Sequence, residues 1–340
     1  MSHALLVKVF IALAIGAAAV ESASAQDGSS YKDRTITIYS AGTAGGGYDF
    51  YARLLARHLG RHLPGNPSVV VKNMPGAGGL VLANYLQSRA LRDGTEFAAL
   101  EHGTAFTPLL THARVDFDPA KFGWLGSMEQ FTPIAAVWHT MPIHSADDLL
   151  VTPMNVGGSG PGSTTSGYPN SLNAILGTKM KVISGYPGSA EINLAIERGE
   201  IHGRCALSWS SVKATLQHWL DDKKLRPLLQ VASAKHADLP DVPLLMELAQ
   251  DDETRHILRF LIARQVIGRP FFGPPEVPAD RAAVLRKAFI DTLNDREFLA
   301  EADKAKLEIN PVPAQRIEDL LRELYAIPAD ITKKAAVLFN

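Results

Sequence analysis

The chain has 340 residues, 46% of them hydrophobic, a formal charge of −1 and one cysteine, Cys205. So balanced a charge gives no electrostatic footprint for a phosphate backbone, which excludes nucleic acid as an expected partner. A single thiol excludes a disulfide framework. The length accommodates two core-bearing domains, and no internal repeat or low-complexity tract is visible.

The chain opens with His3 and Lys8, an uncharged apolar run over residues 9–20, and Ala23-Ser24-Ala25, the pattern of an export signal cleaved after Ala25. The run is short of the roughly 20 residues needed to span a bilayer, so an uncleaved anchor is the weaker alternative. No cysteine stands beside the cleavage site for lipid attachment, and the expected mature chain of 315 residues (340 − 25) keeps its charge of −1 because one Lys and one Glu leave together. The expected compartment is a Gram-negative periplasm.

Residues 35–39 alternate as a strand, 42–47 form a glycine turn, and a helix is expected from about 49 to 62 with Ala52, Leu55, Leu59 and Leu63 on one face. A buried strand at 69–71, a second glycine turn at 73–79, a helix at 80–90 and a strand at 97–100 follow. The middle repeats this grammar, with strands at 134–138, 181–184, 203–207 and 228–232. Helices are expected there at 146–150, 170–176, 190–198 and 211–220, with a turn at 157–165. The last third reads as helical, at 281–293 after Asp280 and in a segment opened by Pro313 that carries Ile317, Leu320, Leu321 and Leu324 at helical spacing. Strand, turn and helix alternating at this interval predict an α/β fold, each lobe a mostly parallel sheet flanked by helices. Two glycine-rich turns in separate α/β units suggest lobes facing each other across a cleft. The expected organisation is a signal at 1–25, lobe 1 at 26–130, lobe 2 at 131–240, and a return to lobe 1 at 241–340 with the C-terminal helices covering it.

Two turns carry the candidate chemistry. The first is Ala41, Gly42, Thr43, Ala44, Gly45, Gly46, Gly47, Tyr48 and Asp49. It places unhindered N–H groups at a helix start, where the dipole favours an anion. Its alternative is a tight connection whose glycines relieve strain. Neither the dinucleotide fingerprint nor a phosphate-cradling loop is present, because Phe50 stands where the third glycine is required and no Gly-Lys-Ser/Thr ending follows. The second turn, residues 157–165, offers Ser159, Gly160, Gly162, Ser163, Thr164 and Thr165, either to close on the same anion from the opposite lobe or to act as a flexible linker. Arg204 is open between pairing with a second carboxylate and bonding to a loop. Tyr186 and Trp209 are open between pocket wall and core.

Enzyme signatures are poorly served. His58 and His62 have i,i+4 spacing but lack the Glu of a zinc protease, so they are expected on a solvated helix face and no metal is expected. No G-x-S-x-G elbow exists, and Cys205 has no partner that would make it a nucleophile. No cofactor is expected. A secreted hydrolase using the same cleft is the rival reading.

The ordered set of motifs resembles the extracytoplasmic receptors of tripartite tricarboxylate transporters, the TctC-like or Bug-type receptors. It is carried by ITIYSAGTAGGGYDFYARLLARHL at 36–59, similar to the family's strand, Pro-x-Gly-Gly-x-x-Asp turn and helix, and by VVVKNMPGAGG at 69–79. Asp93-Gly94, the loop at 157–165, Gly185-Tyr186-Pro187-Gly188 and LPDVPLLMEL at 239–248 continue it in order. The resemblance implies a two-lobed, type II periplasmic binding protein with a Venus-flytrap cleft, monomeric and not an enzyme. It further implies a small di- or tricarboxylate or aromatic acid as ligand, delivered to integral-membrane transporter subunits. One ligand carboxylate would be held by backbone amides of the loops at 41–49 and 157–165, and the far end by variable residues, here Thr104, Tyr186, Arg204 and Ser208. Three positions depart from the pattern and bear on ligand identity. Ala41-Gly42-Thr43 replaces Phe-x-Pro, Pro187 replaces a common Lys, and Tyr48 replaces a small residue and is expected to narrow the cleft or stack on a ring.

Overall fold

The structure, a computed structural model, describes residues 30–110, 115–130, 132–160, 163–232 and 234–327, with 332, 336 and 337. The expected export signal and Gly162 lie outside the described residues. Lobe 1 opens with β1 (Thr35–Ser40), α1 (Gly47–Leu59), β2 (Ser68–Asn73), α2 (Leu80–Ser88), β3 (Glu96–Ala99) and β4 (Gly123–Ser127). Lobe 2 holds β5 (Pro133–Trp138), β6 (Met154–Gly158), α3 (Thr164–Leu176), β7 (Met180–Ser184), α4 (Ser189–Glu197), β8 (Gly203–Ser208), α5 (Trp209–Thr215) and β9 (Leu225–Gln230). The chain passes through α6 (Asp252–Ala263) and returns to lobe 1 as β10 (Pro270–Gly273), α7 (Ala279–Leu293), α8 (Arg296–Lys304), β11 (Val312–Pro313) and α9 (Ala314–Tyr325). Among the described residues, no helix is long and apolar enough to cross a membrane.

One sheet has six strands in the order β11-β4-β10-β3-β1-β2 and the other five in the order β7-β6-β8-β5-β9. The α/β two-lobed class holds, with one correction: the sheets are mixed rather than mostly parallel. β1 pairs parallel with β2 and β3, and β6 with β7 and β8, as crossover helices require. β10 and β5 run antiparallel to their neighbours on both sides. These two strands receive the chain from the other lobe, so they start at the cleft where the parallel strands end.

Strand alternation divides the core. Ile36 and Ile38 meet Tyr51, Leu55, Phe97, Phe289 and Phe298 on one face of the first sheet. Tyr39, Ala98 and Phe272 face a second cluster that continues through Leu258, Ile262 and Ile267 into Val156, Tyr168 and Leu172 of lobe 2. The outer face of the second sheet packs Ile134, Ile192, Ile196 and Trp219. Burying each such side chain contributes roughly 1.5–3 kcal/mol. The C-terminal helices cover lobe 1: Leu285 and Phe289 of α7 join the first cluster and Ile317, Leu320, Leu321 and Leu324 of α9 the second.

Several local expectations are corrected. α3 begins at Thr164, well before residue 170, because Ser163 caps it by accepting from Ser166 N, and Gly167 and Pro169 lie inside the helix. Gly157 and Gly158 belong to β6, where Ile192 and Ser166 press too close for any side chain. The helix expected at 211–220 divides near Leu216, and β4, β10 and β11 were not foreseen. His58 is buried rather than solvated, its Nε2 2.6 Å from Glu301 Oε2, and His62 Nε2 lies 2.8 Å from Asp295 Oδ2.

The two inter-lobe crossings are tied by a buried ion pair. Glu129 follows β4, Arg269 precedes β10, and Arg269 Nε lies 3.3 Å from Glu129 Oε2 with both side chains out of water. Glu129 Oε1 also accepts from Ser210 Oγ of lobe 2 at 2.6 Å. Glu129→Gln preserves shape but leaves Arg269 without its counter-charge, and is expected to cost about 3–5 kcal/mol in chemical unfolding. A cost under about 1 kcal/mol would show that the pair does not organise the hinge.

Candidate functional site

β1 ends at Ser40 and the chain turns through glycines into α1, whose N-cap Gly46 carries no capping side chain. Asp49 in the first turn braces this loop from behind. It accepts from Gly45 N at 3.0 Å, Arg53 Nε at 2.9 Å and Asn73 Nδ2 at 2.8 Å. Burial alone would raise its carboxyl, but the hydrogen bonds from Arg53, Gly45 and Asn73 outweigh it and hold Asp49 below the ordinary value. The result is a fixed loop with Gly45, Gly46, Gly47 and Tyr48 on the cleft wall, at the positive end of the α1 dipole. A Cβ on Gly47 would fall 2.6 Å from Ser211 Oγ of lobe 2, so a side chain here would force that hydroxyl to move away from Arg269.

The cleft floor is a stack of polar aromatic and basic groups. The Arg269 guanidinium lies over the Tyr48 ring at 4.7 Å and the Tyr51 ring at 4.8 Å, and Nη2 donates to Ser211 Oγ at 2.7 Å. Tyr48 therefore stacks on an arginine of its own chain. Its hydroxyl accepts from His102 N at 3.1 Å and lies 3.0 Å from His102 Nδ1. Burial raises the Tyr48 hydroxyl well above its ordinary value, so it keeps its proton. Burial, with Arg264 and Arg269 adding repulsion, pushes His102 well below the usual imidazole range.

Lobe 2 supplies the opposite wall. Arg204 on β8 is 5% exposed, and its Nη1 donates to Asn193 Oδ1 at 2.9 Å and Nη2 to Ser189 Oγ at 2.7 Å. Both partners are neutral. Its Nε has no hydrogen-bond partner, and among the described residues no carboxylate lies within ion-pair distance. Burial pushes Arg204 down to about 10, with Glu101 too weak a counterweight to restore it. At the start of α3, Thr164 N and Oγ1 both donate to Glu101 Oε1 of lobe 1, at 2.7 and 2.6 Å. The lobes also meet where Thr43 Oγ1 donates to Glu191 Oε2 at 2.9 Å.

Of the residues singled out by sequence, Ala41, Gly42, Gly45, Gly46, Gly47, Tyr48, Ser159, Thr164, Thr165, Arg204 and Ser208 line this cleft. Thr43 is engaged with Glu191, Ala44 is exposed, and Asp49 is the brace behind the loop. Thr104 is buried and donates to Gly78 O, Gly160 packs on Ala77, and Ser163 serves its own helix cap. Tyr186 packs on the outer cluster of lobe 2 and Trp209 lies in that core, its Nε1 donating to Asp238. Cys205 is fully buried with its thiol pushed up to about 12, which suits a core position. Sequence reasoning missed Glu101, His102, Ser189, Asn193, Ser211 and Arg269, which line the cleft as isolated residues from separate segments. Gly78 and Gly79 of the second glycine turn line it as well. Two His-carboxylate groups, His58-Asp295-Glu297 and His236-Asp238-Glu308, could share an ion. In the second, the Lys213 ammonium already sits 2.7 Å from Asp238 and 2.8 Å from Glu308.

Two mixed sheets of one strand order, joined by two crossings around a cleft, define the fold of a two-lobed periplasmic binding protein. The structure of the periplasmic binding protein BugD matches with a TM-score of 0.72 at 20% identity, over 90% of this chain and 99% of that one. A Rhodopseudomonas palustris protein, MatC with bound malate, matches with a TM-score of 0.70 at 19% identity, over 89% of this chain and 99% of that one. A structure of an R. palustris protein with adipate matches with a TM-score of 0.70 at 20% identity, over 89% and 97%. In sequence, the chain is 28% identical over 245 residues to a Cupriavidus necator protein described as a UPF0065 protein in the gbd 5' region, covering 69% of this chain and 70% of that one. No protein-family model matches. The resemblance to Bug-type and TctC-like receptors is borne out in the likeness to these proteins.

The depressed His102 makes the fold sensitive to acid. Unfolding restores the imidazole to about 6.5, so below that pH the unfolded chain binds a proton the folded chain refuses, and stability falls by up to about 1.4 kcal/mol per pH unit. His102→Gln is expected to lose less stability than the wild type between about pH 7.5 and about pH 5.5, by more than about 1 kcal/mol in chemical unfolding. Equal losses in the two proteins would contradict a buried neutral His102.

Proposed function

We propose that the chain is an exported, periplasmic solute-binding receptor that captures a small carboxylate between its lobes. The observation that carries this reading is Arg204, a guanidinium almost wholly out of water with only neutral partners in a cleft that also contains the uncapped start of α1. A buried cation without its counter-charge is costly, and a ligand anion would supply that charge. In this reading the carboxylate takes N–H groups of Gly47 and Tyr48 and the Nε of Arg204, while Ser189 and Asn193 aim the guanidinium. Because these donors are fixed by the fold, little ordering is needed at binding. The solved structures with adipate and malate, both carboxylate anions, support the ligand class.

Lobe 1, read as 26–130 with 241–340, and lobe 2, read as 131–240, would close on the ligand because it touches both. A monomeric receptor of this kind would pass its ligand to integral-membrane transporter subunits. No feature of the cleft favours the rival hydrolase, and consumption of a bound carboxylate would overturn the receptor reading.

Calorimetry with small mono-, di- and tricarboxylates and aromatic acids tests the reading. Binding without turnover is expected. Arg204→Met is expected to weaken it at least a hundredfold, about 2.8 kcal/mol, while leaving the ligand-free protein as stable or more so, since it removes an unbalanced buried charge. Unchanged affinity in Arg204→Met would remove the basis of the proposal.

A further inference from the structure

The two helix starts that face the cleft are not equivalent. At α1 no side chain caps the first turn, and Arg204 stands across the cleft. At α3 two of the first-turn N–H groups are already in use within the chain: Ser163 accepts from Ser166 N, and Thr164 N, with its Oγ1, holds Glu101 Oε1 at 2.7 and 2.6 Å. Glu101 belongs to lobe 1 and follows β3, so this is a carboxylate of one lobe seated on the anion-binding helix end of the other. Its second oxygen, Oε2, has no hydrogen-bond partner among the described residues, and Glu101 lines the cleft.

We propose that Glu101 is a built-in anion that selects the ligand: it fills the lobe 2 half of the clamp, restricting the cleft to ligands with one carboxylate, and offers Oε2 to a hydroxyl, amide or ammonium on the same ligand. The inference rests on the reading of the cleft as a carboxylate site. A second ligand carboxylate reaching α3 has to displace Glu101 from two charge-assisted hydrogen bonds and then lie beside it. Like charges that close in a desolvated cleft repel strongly. A monocarboxylate with a donor meets neither obstacle. It finds the α1 start and Arg204 for its carboxylate and Glu101 Oε2 as an acceptor for its donor. Specificity here comes from repulsion of the wrong ligand as well as attraction of the right one.

The experiment is titration calorimetry of the wild type and Glu101→Gln with chain-length-matched probes: butyrate, 4-hydroxybutyrate, 4-aminobutyrate and succinate, and the corresponding pentanoate series with glutarate. The wild type is expected to bind a hydroxy- or amino-substituted monocarboxylate at least tenfold more tightly than the matched dicarboxylate, and Glu101→Gln to lower that ratio at least tenfold. Thr164→Val, which removes one donor to Glu101 without touching its charge, is expected to keep the preference for one carboxylate while loosening Glu101. It serves as the control should Glu101→Gln fail to fold. A wild type that prefers the dicarboxylate, or a ratio unchanged in Glu101→Gln, overturns this inference and leaves the carboxylate reading standing. If no probe of either kind binds the folded wild type, both fall together.

Discussion

The guanidinium of Arg269 lies where the separate parts of this molecule meet. It pairs with Glu129 on the other inter-lobe crossing, covers the faces of Tyr48 and Tyr51 on α1, and donates to Ser211 on lobe 2. Its backbone N–H donates to Ser127 Oγ at the end of β4. One buried cation thus couples the hinge, the first turn of α1 and the facing lobe. Burial would lower this guanidinium, yet Glu129, Tyr48 and Tyr51 raise it above its ordinary value, so it stays charged. Where α1 starts, and so where its N–H groups aim, depends on this stack.

Against that balanced charge stands Arg204, equally buried and held by neutral groups. The contrast is one of charge balance: Arg269 has Glu129 within ion-pair distance, whereas among the described residues no carboxylate lies that close to Arg204. Glu101 adds the opposite sign to the same cleft, and burial outweighs its pull on Arg204.

Legibility in the sequence followed how local the cause was. The crossover units, with apolar residues on one helix face and a glycine turn before each helix, were readable because a strand, its turn and its helix lie within one stretch of chain. The mixed sheets were not, since the direction of β5 and β10 is set by the lobe they come from. β4 was hidden for a second reason: Gly-Trp-Leu-Gly-Ser is almost wholly buried and shows no alternation to read. The glycines around residue 45 announced a site because backbone geometry demands them. Glu101, His102 and Arg269 carry no such pattern, and each becomes meaningful only when the fold brings Thr164, Tyr48 and Glu129, distant in sequence, to it. His58 misled in the opposite sense, because its burial comes from Glu301 and Phe298 on a helix distant in sequence.

The central claim is that a ligand carboxylate sits between the start of α1 and Arg204 while Glu101 remains on Thr164. A crystal structure of the exported protein purified with its own ligand, the ligand identified by mass spectrometry from the same sample, tests this most directly. The account predicts carboxylate oxygens within hydrogen-bond distance of the Gly47 or Tyr48 N–H and of Arg204 Nε, with Glu101 still accepting from Thr164. A ligand whose carboxylate lies on Thr164 with Glu101 displaced, or a ligand that leaves Arg204 without an anionic partner, would contradict it.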